Sequence, residues 1–429
     1  MTRRPALNLA ISAVSCIAFV LSACGGSDEP VDTPVTITVV GPNAVSRWNE
    51  VATATINVPA AAIGTPEEQR PNSAVDLATV QVAVYDSVMA IVGTHRPFAI
   101  TPAPVAATAS QEAAVVSAAY RVLLGLFPNR SAQYQAAYDA DLAAIPDSPA
   151  KTQGVAVGAQ VAAGVLGLRA NDGRSVALAA FVPGTNPGQF RGVNPVGRPN
   201  AFIRPFSLTS TAQFRAPGPP ALTSAQYAAD VNETKALAST LSTTRTADQT
   251  ELARFNTESP ATLNPRTMRT FAMTNRSLAE HARLLAMAWV IQADAGNACF
   301  DSKYHHLFWR PTSAITLDGD GNAATTADPT WTPHVATPNH PEYPAAHSCV
   351  YGGMSELVRV YYGTPNVTFD MNSTVTGTTR RYTSTTAWLD EIAMARIAGG
   401  MHFRFSVVDG ATLGRSVAQW VIANHFQAR

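Results

Sequence analysis

Leu77, Val80, Val84, Val88 and Ile91 recur at spacings of three and four, which puts them on one stripe of a helix whose other faces are free to vary. The same period returns almost throughout the chain from about Val45, and no convincing series of alternating strands competes with it. Further helices are predicted over residues 110–126, stopped by Pro128, over 132–144, stopped by Pro146, and over 151–168, ended by Asn171-Asp172-Gly173. Gly154, Gly158 and Gly164 in the last of these suggest close packing against a neighbour, or simple tolerance. The predicted fold class is therefore all-α: one helical bundle domain over residues 45–429, with room for a pseudo-symmetric pair of bundles. Composition agrees, since 46% of residues are hydrophobic and only 14% charged, with alanine, the best helix former, abundant.

Residues 172–222 break the pattern. Pro and Gly punctuate them, and Pro217-Gly218-Pro219-Pro220 forbids helix. A long loop in a compact chain is usually functional or wraps the surface. Helices resume near Thr223, where Thr223-x-x-Gln226 has capping-box spacing, as do Thr246-x-x-Gln249 and Ser277-x-x-Glu280. The last helix carries Leu413, Val417, Trp420 and Val421 on one face.

Residues 1–23 read as a targeting segment: Arg3 and Arg4, then an apolar stretch over 7–21, too short to span a membrane comfortably. Small residues before Cys24 resemble a bacterial lipoprotein signal. That implies cleavage before Cys24, a lipid on its sulfur and a flexible tether over 24–44. The expected location is the bacterial cell envelope, exported and lipid-anchored, facing the periplasm or the cell surface. The membrane is met only through that N-terminal anchor. Of the four cysteines, Cys16 leaves with the signal, and Cys299 and Cys349 remain to pair or to stay as buried thiols. Lys plus Arg is 30 and Asp plus Glu is 30. That balance, without a basic run, argues against a nucleic-acid partner.

Three segments in the last third carry the chemistry. In Lys303-Tyr304-His305-His306-Leu307-Phe308-Trp309-Arg310-Pro311, a continuous helix places Lys303 and Arg310 two turns apart on one face, with Pro311 ending it. Two fixed cations suit a tetrahedral oxyanion, one as a planar fork of donors and one as a point charge. The aromatic company makes the segment look buried. In His340-Pro341-Glu342-Tyr343-Pro344-Ala345-Ala346-His347-Ser348, a proline-rich loop enters a helix, whose N-terminus favours anions. His347 there has the ordinary pKa of about 6.5 for acid–base work. In the third segment, Arg396 and His402 do not share a helical face, but Gly399-Gly400 allows a break that brings them to one point.

Together these segments resemble the vanadium-dependent haloperoxidases and the related type-2 phosphatidic acid phosphatases, in particular a secreted bacterial haloperoxidase-like branch. Their pattern is Lys-x6-Arg-Pro, then Pro-Ser-Gly-His, then Arg-x5-His. Here it stands as Lys303 to Arg310-Pro311, Pro344-Ala345-Ala346-His347, and Arg396 to His402. The motifs span residues 303–402, and looser likeness reaches back to about residue 45.

The resemblance implies that Lys303, Arg310, Arg396 and the Ala346 N–H bind the oxygens of vanadate, or of phosphate in the same site. His402 would be the axial group on the metal and His347 the acid–base partner. It implies a haloperoxidase-like oxidoreductase using hydrogen peroxide and halide. The alternatives are a phosphatase hydrolysing a phosphate ester through a phospho-histidine, and a non-catalytic anion-binding envelope lipoprotein. Phe300 and His340 are halide-pocket candidates, and a His at 340 favours bromide or iodide over chloride. The departure is Ala345-Ala346, where the family has Ser-Gly, so one hydroxyl donor is missing. Oligomeric state stays open. Zinc at His305, His306, His340 and His347 has little support, because no carboxylate–His motif completes a site. Asp318-Gly319-Asp320-Gly321-Asn322 reads as an ordinary acidic turn.

Overall fold

A computed structural model describes residues 33–57 and 72–429 of the chain. The targeting segment with Cys16, and the lipidation candidate Cys24, lie outside the described residues. Most capping signals do what their chemistry allows. Thr246 and Ser277 each accept a backbone N–H while Gln249 and Glu280 reach back to the cap residue. One expected cap moves by a residue: Ser224, not Thr223, caps the helix that begins at Ala225.

The first group of helices is α1 (Ala44–Ile56), α2 (Ser73–Val92), α3 (Gln111–Leu126), α4 (Gln135–Ala144) and α5 (Pro149–Arg169). The helix expected over 132–144 starts as a 3-10 turn, Pro128–Gln133, because Pro128 sits in its first turn. α2 is apolar on nearly every side and long enough to cross a membrane, but 89% of it is buried among its neighbours, so it is a core helix. α3 and α5 approach closely at Gly158, where a Cβ would lie 2.5 Å from the Ala114 carbonyl oxygen.

Next come α6 (Ala225–Ala238), α7 (Ala247–Phe255), α8 (Pro260–Phe271), α9 (Leu278–His306), α10 (Pro311–Thr316), α11 (Ala346–Tyr362), α12 (Thr385–Ala398) and α13 (Arg404–Asn424). α9 packs on α2, α11 and α13, and so joins the two halves of the core. Between them, residues 170–224 carry only the 3-10 turn Arg198–Phe202, as the Pro/Gly pattern requires.

Sequence periodicity does not show a small sheet. Val35–Thr36 pairs in parallel with Val367 and Thr368, and Phe369, Asp370, Met371 and Asn372 pair antiparallel with Tyr382, Arg381, Arg380 and Thr379. This corrects the end of the expected tether at residue 44. By Val35 the backbone is hydrogen-bonded into the folded body, and Val40 donates to the Met273 carbonyl at 2.7 Å. Two residues of strand with no alternation around them leave no pattern to read.

Two buried aspartates hold the loops that flank the core. Asp86 on α2 accepts the N–H groups of Phe98, Ala99 and Ile100 at 2.5–2.9 Å. Asp294 on α9 does the same for Phe206, Ser207 and Leu208 at 2.7–3.2 Å. Burial pushes each carboxyl up to about 6, against the pull of its three donors.

The α5 glycines provide a test of the packing. Gly158→Ala should destabilise the fold by about 1–3 kcal/mol through overpacking. Gly167→Ala, where nothing lies within 4 Å of the new Cβ, should stabilise by up to about 1 kcal/mol through helix propensity. Urea denaturation of the two variants reads the difference, and equal effects would contradict the close contact.

Candidate oxyanion site

Lys303 lies in the last turn of α9, but Arg310 is not on its continuation. The helix ends at His306, Leu307 turns the chain with a left-handed backbone (φ 50°), and Arg310 is the extended residue before α10. The expectation of one continuous helix with the two cations on one face is therefore corrected. Pro311 starts α10 instead of ending α9, because proline at the first helical position forfeits no hydrogen bond. The reversal still brings the two cations together. Both are buried, as is Arg396 at the end of α12, at 0%, 3% and 3% exposure respectively.

Backbone carbonyls absorb part of their donor capacity. Lys303 Nζ donates to the carbonyls of Pro341 and Glu342, both at 2.9 Å. Arg310 Nε donates to His340 O and its Nη1 to Met401 O, both at 2.8 Å. Arg396 Nη1 reaches Asn256 O at 3.2 Å, while its Nε is enclosed and has no partner.

His402 follows the Gly399-Gly400 break, where Gly400 takes φ 82° and the chain leaves α12 before entering α13. Its Nδ1 lies 2.8 Å from Glu342 Oε1, and its Nε2 lies 3.2 Å from Arg310 Nη1. A guanidinium only donates, so Nε2 accepts. Nδ1 therefore carries the proton and donates it to Glu342, whose Oε1 also accepts the Phe403 N–H at 3.1 Å. The imidazole is thus held with its Nε2 lone pair directed towards Arg310.

Sequence reasoning missed Glu342. Its signal was its place inside the segment that carries His340 and His347, as a carboxylate among prolines in an otherwise apolar run. Burial pushes its carboxyl up to about 7, opposed by Lys303 and Arg310.

His347 is the second residue of α11, as the loop-to-helix reading expects. No side chain caps that helix, because its cap position is Ala345, so the first-turn N–H groups, that of Ala346 among them, have no side-chain acceptor. His347 is half-buried, and its Nε2 is enclosed without a hydrogen-bond partner. Ser348, next to it, points to α13, with its Cβ against Gly410, and does not replace the missing serine.

The structure bonds Cys299 to Cys349, with their Cα atoms 6.2 Å apart, and so ties α9 one turn before Lys303 to α11 just after His347. Phe300 and His340 also lie together, ring centroids 5.2 Å apart, and Arg310 Nη2 donates to His340 Nδ1 at 2.9 Å. The long loop covers these segments. Phe190 N–H donates to Leu307 O, Trp309 N–H to Gly188 O, and Val196 N–H to Asn339 O.

Other sequence candidates have separate tasks. His306 Nε2 meets the Ala216 carbonyl at 2.9 Å, and His281 lies between Asn43 and Thr274. Asp320 accepts from Asn322 N–H and the Thr325 hydroxyl within its own turn.

The electrostatics follow from three cations facing one carboxylate in a buried space. Burial, then mutual repulsion, pulls Arg396 down to about 9. Burial likewise pulls Arg310 down to about 10, opposed by Glu342. Lys303 is held well below its ordinary value, by burial first and Arg310 second. Burial and the same cations hold His340, His347 and His402 well below 6.5. With Lys303, Arg310, Arg396 and Glu342 ionised and the histidines neutral, the site carries two positive charges in excess, which a tetrahedral dianion balances.

A family model, the VCPO second helical-bundle domain, matches residues 283–428. Vanadium chloroperoxidase of Curvularia inaequalis is 34% identical over 94 residues, 20% of this chain and 15% of that protein, so the match spans a small part of the curated relative. The fold is similar to the first bacterial vanadium-dependent iodoperoxidase structure, with a TM-score of 0.72, 23% identity, and coverage of 90% of this chain and 95% of that one. It is also similar to a holo-type bacterial vanadium-dependent chloroperoxidase, with a TM-score of 0.67, 15% identity, and coverage of 89% and 97%.

The depressed histidines predict a pH dependence. A base whose folded pKa lies below its unfolded value contributes stability above about pH 6.5, and that stability is lost as pH falls, because the unfolded chain takes up protons that the fold refuses. Without oxyanion, unfolding free energy should fall below about pH 6.5 with a slope of up to ~1.4 kcal/mol per pH unit for each such histidine. Phosphate or orthovanadate should raise the melting temperature and flatten that slope. Identical slopes with and without anion, by calorimetry, would contradict the assignment.

Proposed function

We propose that the chain, whose residues 283–428 match the model of the VCPO second helical-bundle domain, is a vanadate-dependent haloperoxidase-like enzyme that oxidises bromide or iodide with hydrogen peroxide. The observation that carries this reading is the convergence of Lys303, Arg310 and Arg396 with Nε2 of His402 in one buried space. The fit to vanadate is tested by the two orphaned buried atoms, Arg396 Nε and His347 Nε2. Both lack a partner that an oxyanion supplies, and donors left unmade in a protein interior are costly.

Lys303, Arg310, Arg396 and the Ala346 N–H would hold the oxygens of vanadate, and His402 Nε2 would hold its metal. When bound, vanadate supplies the Lewis-acid centre that activates hydrogen peroxide towards halide. The chain does the rest. Glu342 keeps the proton of His402 on Nδ1, so that Nε2 stays a lone pair. His347, kept neutral by burial and by the surrounding cations, moves protons at its Nε2. The cations neutralise charge in a space from which water is largely excluded, where fixed donors act strongly. Phe300 and His340 form the wall assigned to halide.

The same Nε2 lone pair suits in-line attack on phosphorus, which supports the second reading, a phosphatase acting on a phosphate ester through a phospho-histidine. Export and lipid anchoring at Cys24 in the bacterial envelope complete the proposal. The Cys299–Cys349 bond supports export, since such bonds persist in oxidising compartments.

Protein loaded with orthovanadate should oxidise bromide or iodide with peroxide, and His402→Ala should lower that rate by at least ~10²–10⁴-fold. Full turnover by the variant would sink the assignment. Phosphate-ester hydrolysis inhibited by vanadate, without halide oxidation, selects the phosphatase. Anion binding without either activity selects the envelope lipoprotein. Ala345→Ser, which returns a hydroxyl to the cap of α11, should tighten phosphate and vanadate binding by roughly 10–100-fold. Titration by calorimetry reads the change.

A further inference from the structure

A cavity of about 290 Å³ lies where α2, α5, the long loop and the end of α13 meet. That volume is at the small end for organic ligands. Val82, Val165, Phe98 and Phe206 give it apolar walls, and Arg169 and Arg204 line it with no carboxylate among the lining residues. His425 closes one side, its ring 4.7 Å from that of Phe98.

The walls are built in advance. Phe98 and Phe206 sit on the two loop segments clamped by Asp86 and Asp294. Arg169, at 9% exposure, lies over the Phe206 ring at 4.2 Å and pairs with Asp172 at 3.0 Å. Its Nε is enclosed and has no hydrogen-bond partner.

Arg169 also lies within electrostatic reach of the buried Asp294 carboxylate. Arg169 and Arg174 share Asp172, and Arg174 also pairs with Asp76, so two arginines meet two aspartates. Arg204 donates to the Leu168 carbonyl and has no carboxylate partner among the described residues.

We propose that this cavity is a binding site for a small aromatic carboxylate, with the ring against the apolar wall of Val82, Val165, Phe98 and Phe206 and the carboxylate facing Arg169 and Arg204. A planar fork of donors pairs with a carboxylate in two parallel hydrogen bonds. Apolar walls then select an anion with a compact hydrophobic body over an inorganic one. The site is separate from the oxyanion site in its residues and independent of the function assigned there.

Benzoate is the probe, titrated calorimetrically into full-length protein already saturated with orthovanadate, so that the oxyanion site is filled. The expected dissociation constant is on the order of 0.1–1 mM. Benzamide, which keeps the ring and loses the charge, should bind at least ~10-fold more weakly, as should benzoate to Arg204→Gln. Arg204 is exposed, so that variant leaves the core intact. Val165→Trp, which fills the cavity, should abolish binding. Absence of saturable benzoate binding to the unaltered protein overturns the proposal, as does undiminished binding to both variants.

Discussion

Positive charge concentrated in a buried space is the constraint around which this molecule is arranged. Lys303, Arg310 and Arg396 are almost completely withdrawn from water, and Glu342 is the carboxylate set among them. Such a group is unfavourable without an anion, because burial penalises each cation and each repels the next. The fold tolerates it by directing carbonyl dipoles of Pro341, Glu342, His340, Met401 and Asn256 at the donors. Donors that remain unsatisfied, such as Arg396 Nε, are what an oxyanion would meet.

Holding those dipoles in place explains features far from the chemistry. The segments that supply the carbonyls are loops, and loops move unless tied. Here the Cys299–Cys349 bond joins the helices on either side of the site. The tight crossing of α11 on α13 leaves no room for a Cβ at Gly414, which faces the Cys349 carbonyl. The long loop adds backbone bonds to Leu307, Trp309 and Asn339, and is itself clamped at Asp294. A stretch that looks irregular in sequence therefore serves as the outer wall of the site.

Glu342 shows how one carboxylate can perform two tasks. Its side chain fixes which nitrogen of His402 is protonated, and its backbone carbonyl receives Lys303. An imidazole whose Nε2 carries a lone pair, here accepting from Arg310, has the nitrogen that either a metal oxyanion or a phosphorus centre would need. That shared requirement is a physical reason why a single constellation is compatible with the two chemistries, which differ in the occupant rather than in the residues.

Local chemistry in the sequence determined much of this. The 3.6-residue period located the core helices and the Thr246 and Ser277 caps located two helix starts, because these signals act over a few residues. Other features depended on tertiary structure. The left-handed turn at Leu307 replaced a continuous helix, and the short strand at Val35 paired with Val367 across most of the chain. Glu342 met His402 sixty residues away. Contacts between distant segments leave no periodicity and no fixed spacing, since it is packing of the whole core that selects which backbone carbonyl or carboxylate a buried cation or imidazole meets.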